Sequence, residues 1–238
     1  MRLAPRDAAG LAVAFLVAAG CVKLGAWQLS RLHDRRARNA VLAALRALPP
    51  LAVTGSVPAD SARDRRLRAH GAYDYARERL WRARSYEGVP GVDLITPLRL
   101  ADGAAVLVDR GWAPSADAYH VDQIAYQEGD SADVLGIGLV APRARGDVDP
   151  RALRDSVPYA LLPFVLQQFP SDSPTVRPAI RRWPAPELSD GPHLSYAIQW
   201  FSFAVIAVVG SLALVRKRAA EAPQNLAEGV RGTNNALS

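Results

Sequence analysis

"GPHLSYAIQWFSFAVIAVVGSLALVRKR", running from Gly191 to Arg218, decides the fold of this chain. Leu194 to Val215 is a run of about 22 positions without formal charge, close to the roughly 20 that a helix needs to cross about 30 Å of hydrocarbon. Arg216, Lys217 and Arg218 then stop it. The stretch opens on His193 and carries Gln199 and Trp200 inside it. Hydrocarbon solvates neither an imidazole nor an amide, so each needs a polar neighbour or a place at the interface.

A second apolar run, "AAGLAVAFLVAAGCVKLGAWQL" from Ala8 to Leu29, follows Arg2 and Arg6 and is interrupted by Lys23. A cleaved signal peptide is the competing reading, with "AAGC" as a lipoprotein cleavage site and Cys21 as the lipidated residue. Apolar sequence continues past Cys21 to Leu29, which favours a membrane span over residues 8–29. Lys23 then snorkels to an interface or faces the other helix. The second span covers residues 194–215, and the tail over residues 219–238 has too few large apolar residues to fold, which predicts disorder.

Two spans put both termini on one side. Arg2 and Arg6 precede the first span while Arg31, Arg35, Arg36 and Arg38 follow it, so local charge is ambiguous. The intervening segment, residues 30–190, is about 160 residues long, and segments above about 60 residues cross largely regardless of charge. Arg216 to Arg218 therefore weigh more, which places both termini in the cytoplasm and the central domain outside.

Composition removes several functions. The 238 residues carry a net charge of +6 and a single cysteine, inside a span. That excludes a disulfide framework, a Cys-rich zinc site and a C-x-x-C-H haem attachment. Copper(I) carriage needs soft sulfur ligands, and Met1 is all the chain has besides Cys21. The basic balance comes without a nucleic-acid recognition motif, so lipid headgroups or anionic ligands are the partners it suits and nucleic acid is not.

Between the spans, "SRLHDRRARNAVLAALRAL" after Leu29 reads as a helix stopped by Pro49 and Pro50. Short β-rich pieces follow: "LAVTGSV" from Leu51, "RLRAHGAY" from Arg66, "RLWRARSY" from Arg79, "DLITPLRL" from Asp93, "AAVLVDRGW" from Ala104 and "DVLGIGLV" from Asp133. Gly and Pro clusters such as "EGVPG" separate them, which predicts a small, mostly antiparallel sheet or barrel. The segments from Pro114 to Gly129 and from Pro142 to Val157 read as loops or as helices without a clear period, and "YALLPFVLQQF" from Tyr159 as a short amphipathic segment.

No common cofactor, phosphate, zinc or hydrolase signature occurs, and the four histidines are scattered. Ser85, Asp109 and His120 supply the residue types of a hydrolytic triad without its local pattern. In "AVLVDRGWAP", Gly111 permits a sharp turn, and Arg110 is either a partner for a ligand carboxylate or an exposed strand-end arginine beside that turn. If the spans are antiparallel, Trp27 and Gln28 lie at a depth comparable to Gln199 and Trp200. Gln28 and Gln199 then hydrogen-bond across the helices, with Gly25 allowing close approach. Such a constellation serves a ligand site or a locked helical hairpin.

Four blocks together resemble the surfeit locus protein 1 family, membrane assembly factors of cytochrome c oxidase. They are "LGAWQLSRL" (Leu24 to Leu32), "WRARSYEGVPGVDLITPLRL" (Trp81 to Leu100), "DGAAVLVDRGWAP" (Asp102 to Pro114) and "HLSYAIQWFSFA" (His193 to Ala204). Asp109 departs from the asparagine usual in that pattern. The resemblance implies a membrane protein with two transmembrane helices flanking an extracytoplasmic α+β domain in the bacterial plasma membrane. It implies a non-catalytic helper in the insertion of haem a, partnered by the catalytic subunit of a haem-copper oxidase and by the enzyme that makes haem a. His193 is then the iron ligand. Helical spacing puts His193, Tyr196, Ala197 and Trp200 on one face, where a small residue leaves room and two aromatics cover a porphyrin. Gln199, Trp27, Gln28 and Arg110 complete the candidate set, and Arg177, Arg181 and Arg182 suit its propionates. A scaffold that holds oxidase subunits without haem, a membrane-anchored hydrolase, and a His193 that merely caps its helix are the competing readings.

The topology is checked by reporter fusions. Alkaline phosphatase joined at Gly103 is expected to be active and joined after Arg218 inactive; the reverse pattern contradicts the orientation.

Overall fold

The computed structural model describes residues 5–140, 148–170 and 180–234, beyond residue 220 by backbone alone. The chain forms two compact units, one made of residues 1–39 and 189–238 and the other of residues 40–188.

In the first unit, α1 (Pro5–Ala47) and α4 (His193–Asn234) are helices of 43 and 42 residues. Both are long and apolar enough to cross a membrane. Only 17% and 6% of their most apolar stretches is buried, so these are not the core helices of a soluble protein. α1 unites the predicted span with the helix predicted to leave it, because no proline intervenes before Pro49. α4 runs on to Asn234, where composition predicts a disordered tail. Extending an existing helix needs no new nucleus, and the alanine-rich stretch after Arg218 accepts it, although Pro223 within it removes one backbone donor.

The second unit is a seven-stranded sheet built from β1 (Leu51–Ala52), β2 (Arg66–Tyr73), β3 (Arg79–Tyr86), β4 (Val89–Leu100), β5 (Ala105–Pro114), β6 (Ser131–Val140) and β7 (Leu161–Gln168). Their order is β1-β2-β6-β7-β5-β4-β3, and an additional pairing of β2 with β4 closes β2, β6, β7, β5 and β4 into a ring. β1–β2 and β5–β7 are parallel and the other pairings antiparallel. Closure depends on Gly71, opposite Leu100, where a Cβ would stand 2.1 Å from the Arg99 carbonyl oxygen. β7 falls in the segment read from sequence as amphipathic. It is buried along nearly its whole length, which erases the alternation that marks an exposed-faced strand.

β5 shows how the ring is filled. Val106 and Val108 join a core drawn from all five ring strands, including Leu67, Leu98, Val134 and Phe164. Ala105 and Leu107 point the other way, into a second cluster with Leu153 of the short helix α3 (Pro150–Leu153); another short helix, α2 (Ala59–Ala62), precedes β2. The alternation then meets a bulge: Asp109 pairs with Ile95 and Gly111 with Leu94, leaving Arg110 as the extra residue. Gly111 does not end the strand in a turn, as the sequence suggests, but takes φ +119° while the strand continues to Pro114. A Cβ at Gly111 would also stand 2.5 Å from the carbonyl oxygen of Arg181, whose backbone pairs with Trp112.

Arg110 is not exposed, and its guanidinium is engaged within the protein. Its side chain is wholly buried, with Nη1 2.7 Å from Glu78 and Nη2 3.0 Å from Glu128. It also donates to the Tyr126 carbonyl and lies 5.3 and 5.1 Å from the Tyr73 and Tyr75 ring centroids. Burial works against the charge, but the two carboxylates outweigh it and the guanidinium's pKa is raised. Arg110→Met, which leaves Glu78 buried without its cation and Glu128 with Arg182 alone, is expected to cost about 3–5 kcal/mol. Urea unfolding followed by tryptophan fluorescence measures it, and a loss under about 1 kcal/mol contradicts the structural role assigned to Arg110.

Candidate functional site

Within the helical unit, the buried residues of α1 are Ala18, Cys21, Gly25 and Leu32, spaced by three, four and seven. That spacing makes one narrow stripe. On α4 the corresponding positions are Ala197 and Ala204, with Trp200, Ala207 and Val208 packed at the edge. Small residues on both helices let the backbones approach. A Cβ on Gly25 would stand 2.8 Å from the Phe201 ring.

Polar contacts fix the antiparallel register. Asp7 meets Arg218 at 2.9 Å near one end. Near the other, Arg36 pairs with Asp190 at 2.7 Å, while Arg35 and Asn39 donate to the Ser189 carbonyl at 2.7 and 3.0 Å. Gly191, at φ +68°, then turns the chain into α4, whose first backbone hydrogen bond runs from Tyr196 to Pro192.

His193 stands directly after that turn, half-buried, with Nδ1 2.9 Å from Gln28 Oε1. Its ring is thus engaged by the opposite helix and does not cap its own. Gln28 meets His193 and not Gln199, which is exposed. The depth comparison that paired the two glutamines is displaced by six residues, since it measured from the apolar boundary of α4 and not from the turn. Ala197 is 1% exposed because α1 already fills the space the sequence reading reserved for a ligand. Trp200 packs beside Ala18, Cys21 and Ala204, its ring 6.0 Å from that of Phe203. The face read as His193, Tyr196, Ala197 and Trp200 therefore turns largely toward α1. Tyr196 and Trp27 remain outside the seam, 46% and 54% exposed, the two aromatics still accessible beside His193 and Gln28.

In the barrel unit, Arg181 stacks on Tyr86 with its guanidinium carbon 4.5 Å from the ring centroid, and Arg182 pairs with Glu128. Arg177 lies outside the described residues. The hydrolytic trio does not assemble. Asp109 accepts from the Gly111 N–H at 3.0 Å, whereas His120 is exposed and 2.6 Å from Asp117. That bond, with the backbone N–H groups of Tyr119 and His120, holds the Asp117 carboxyl below its usual range. Among the described residues no cluster of three histidine, cysteine or acidic side chains is placed to hold a metal ion.

The family pattern of SURF1 matches residues 15–205, which takes in the whole barrel, most of α1 and the start of α4. The chain belongs to the SURF1 family. This is a family of oxidase assembly factors, generally non-enzymatic. Similar SURF1-like proteins, themselves uncharacterized, come from Mycobacterium bovis and Mycobacterium tuberculosis; each is 28% identical over 217 residues, covering 79% of this chain and 74% of the relative.

Asp93 is a buried acid that sequence reasoning did not single out, although a lone carboxylate within "GVDLIT" was the available signal. Arg84 pairs with it at 2.7 Å and Trp183 donates to it at 3.2 Å. Burial pushes the neighbouring Asp109 carboxyl up to about 8, and the charge on Asp93 adds to the shift. A carboxyl with a raised folded pKa binds its proton more tightly in the folded state, so stability falls as pH rises from about 4, the unfolded value, through about 8. Asp109→Asn removes that dependence. Its gain in Tm over wild type is expected to grow between pH 5 and pH 8.5, and an equal difference at both pH values contradicts the burial of an ionisable group there.

Proposed function

We propose that this SURF1 protein assists insertion of haem a into a haem-copper oxidase by holding haem a transiently through His193 at the outer face of the membrane. The observation that carries the reading is the disposition of His193. Its Nδ1 is occupied by Gln28, and among the described residues nothing hydrogen-bonds Nε2, the nitrogen through which an imidazole most often meets haem iron. The donor set fits the group: one imidazole, Tyr196 and Trp27 accessible beside it, and apolar helix on either side. When bound, haem a contributes the redox-active iron destined for the oxidase. The chain contributes a ligand, an apolar surround and protection from water.

On this reading the haem lies at the head of the hairpin beside Tyr196 and Trp27 and not along α4 toward Trp200, whose neighbourhood α1 fills. The catalytic oxidase subunit and the haem a synthesis enzyme are the partners this role requires. The alternative role, a scaffold that binds oxidase subunits alone, draws on the buried Arg110 network and the absence of a common catalytic signature, but gives no use to an Nε2 that has no hydrogen bond among the described residues.

Detergent-purified protein from cells making haem a tests this. Wild type is expected to show a Soret band that His193→Ala abolishes or strongly shifts while inserting normally in the membrane. Wild type without a Soret band favours the scaffold, and an unchanged spectrum in His193→Ala removes His193 as the ligand.

A further inference from the structure

We infer that Gln28 is a positioning residue that sets how tightly His193 holds iron, and that its neutral amide tunes the site for release. This rests on the haem-binding reading above. An imidazole presents a lone pair at one nitrogen only, and the hydrogen bond at the other nitrogen decides which. Gln28 Oε1, 2.9 Å from Nδ1, is an acceptor, so the proton resides on Nδ1 and the lone pair on Nε2. Were the amide N–H turned to the ring instead, the proton would move to Nε2 and the site would lose its ligand.

The contact is held from several sides. Gly25, one turn before Gln28, brings the helices together at Phe201. Arg35, Arg36 and Asn39, two to three turns after it, fix Ser189 and Asp190 just ahead of His193. Gln28 therefore meets a ring whose backbone cannot drift along the seam.

The identity of the acceptor matters as much as its place. Metal-bound histidines commonly donate to a carboxylate or a carbonyl, and the acceptor raises the basicity of the ring. A carboxylate draws the Nδ1 proton strongly, strengthens the iron bond and favours the ferric state. An amide oxygen carries no net charge and polarises the ring less. A protein that passes its ligand onward needs a site strong enough to orient it and weak enough to let it go, and Gln28 supplies that intermediate strength.

The test uses full-length protein loaded with haem a by co-expression of its synthesis enzymes. Wild type, Gln28→Leu, Gln28→Glu and His193→Ala are compared by haem midpoint potential and by the rate of haem transfer to excess apomyoglobin. Gln28→Leu is expected to release haem about 10–100-fold faster than wild type. Gln28→Glu is expected to release it more slowly and to lower the midpoint potential. A residue that merely locks the hairpin would change thermal stability and leave the potential of the bound haem unmoved. Loss of haem in His193→Ala, with wild-type rates and potentials in both Gln28 variants, overturns this inference alone. Unaltered haem in His193→Ala overturns the ligand assignment, and this inference with it.

Discussion

A polar side chain at the head of a lipid-facing hairpin has no water to satisfy it on the membrane side, so the facing helix must do so. The 2.9 Å contact between His193 and Gln28 is where this chain meets that constraint. Other features of the helical unit converge on it. Ala18, Cys21, Gly25, Ala197 and Ala204 are small enough for the helices to close, and the ion pair of Arg36 with Asp190 sets the register near the turn. Larger residues in the seam would separate the amide from the ring and leave two unsatisfied groups.

The barrel solves a comparable problem with a different device. Its ring of five strands encloses an apolar interior, but the bulge in β5 places a guanidinium there. Arg110 is tolerable only because Glu78, from the connection between β2 and β3, and Glu128 and the Tyr126 carbonyl, from the connection between β5 and β6, converge on it. The network ties those connections to the ring, so polar chemistry that looked available to a ligand is spent on architecture. The buried carboxyl groups of Asp93 and Asp109 lie beside this arrangement and make the domain's stability sensitive to pH.

Much of this architecture is legible in the residues. β2 and β3 occupy the stretches from Arg66 and Arg79 whose β-rich composition predicted them, and both apolar runs are helices. β7 was obscured because a strand buried on both faces loses its period of two. Arg110 was misjudged because an isolated arginine before a glycine looks the same at an exposed strand end as in a bulge, and its partners Glu78 and Glu128 are distant in sequence. At the head of the hairpin, the participants His193 and Gln28 were identifiable, but their pairing was not. Pairing depends on where the turn begins, and the hydrogen bonds from Arg35 and Asn39 to Ser189 that determine this join residues about 150 positions apart, a separation at which local sequence pattern says nothing.

Resonance Raman spectroscopy of the ferrous haem-loaded protein tests the central claim most directly, because an iron–histidine stretch reports the ligand itself. With His33, His70 and His120 replaced, only His193 can supply an imidazole. The account predicts a low-frequency iron–nitrogen band that shifts to lower frequency on labelling histidine with nitrogen-15. A haem-loaded protein whose spectrum is indifferent to the label would contradict it.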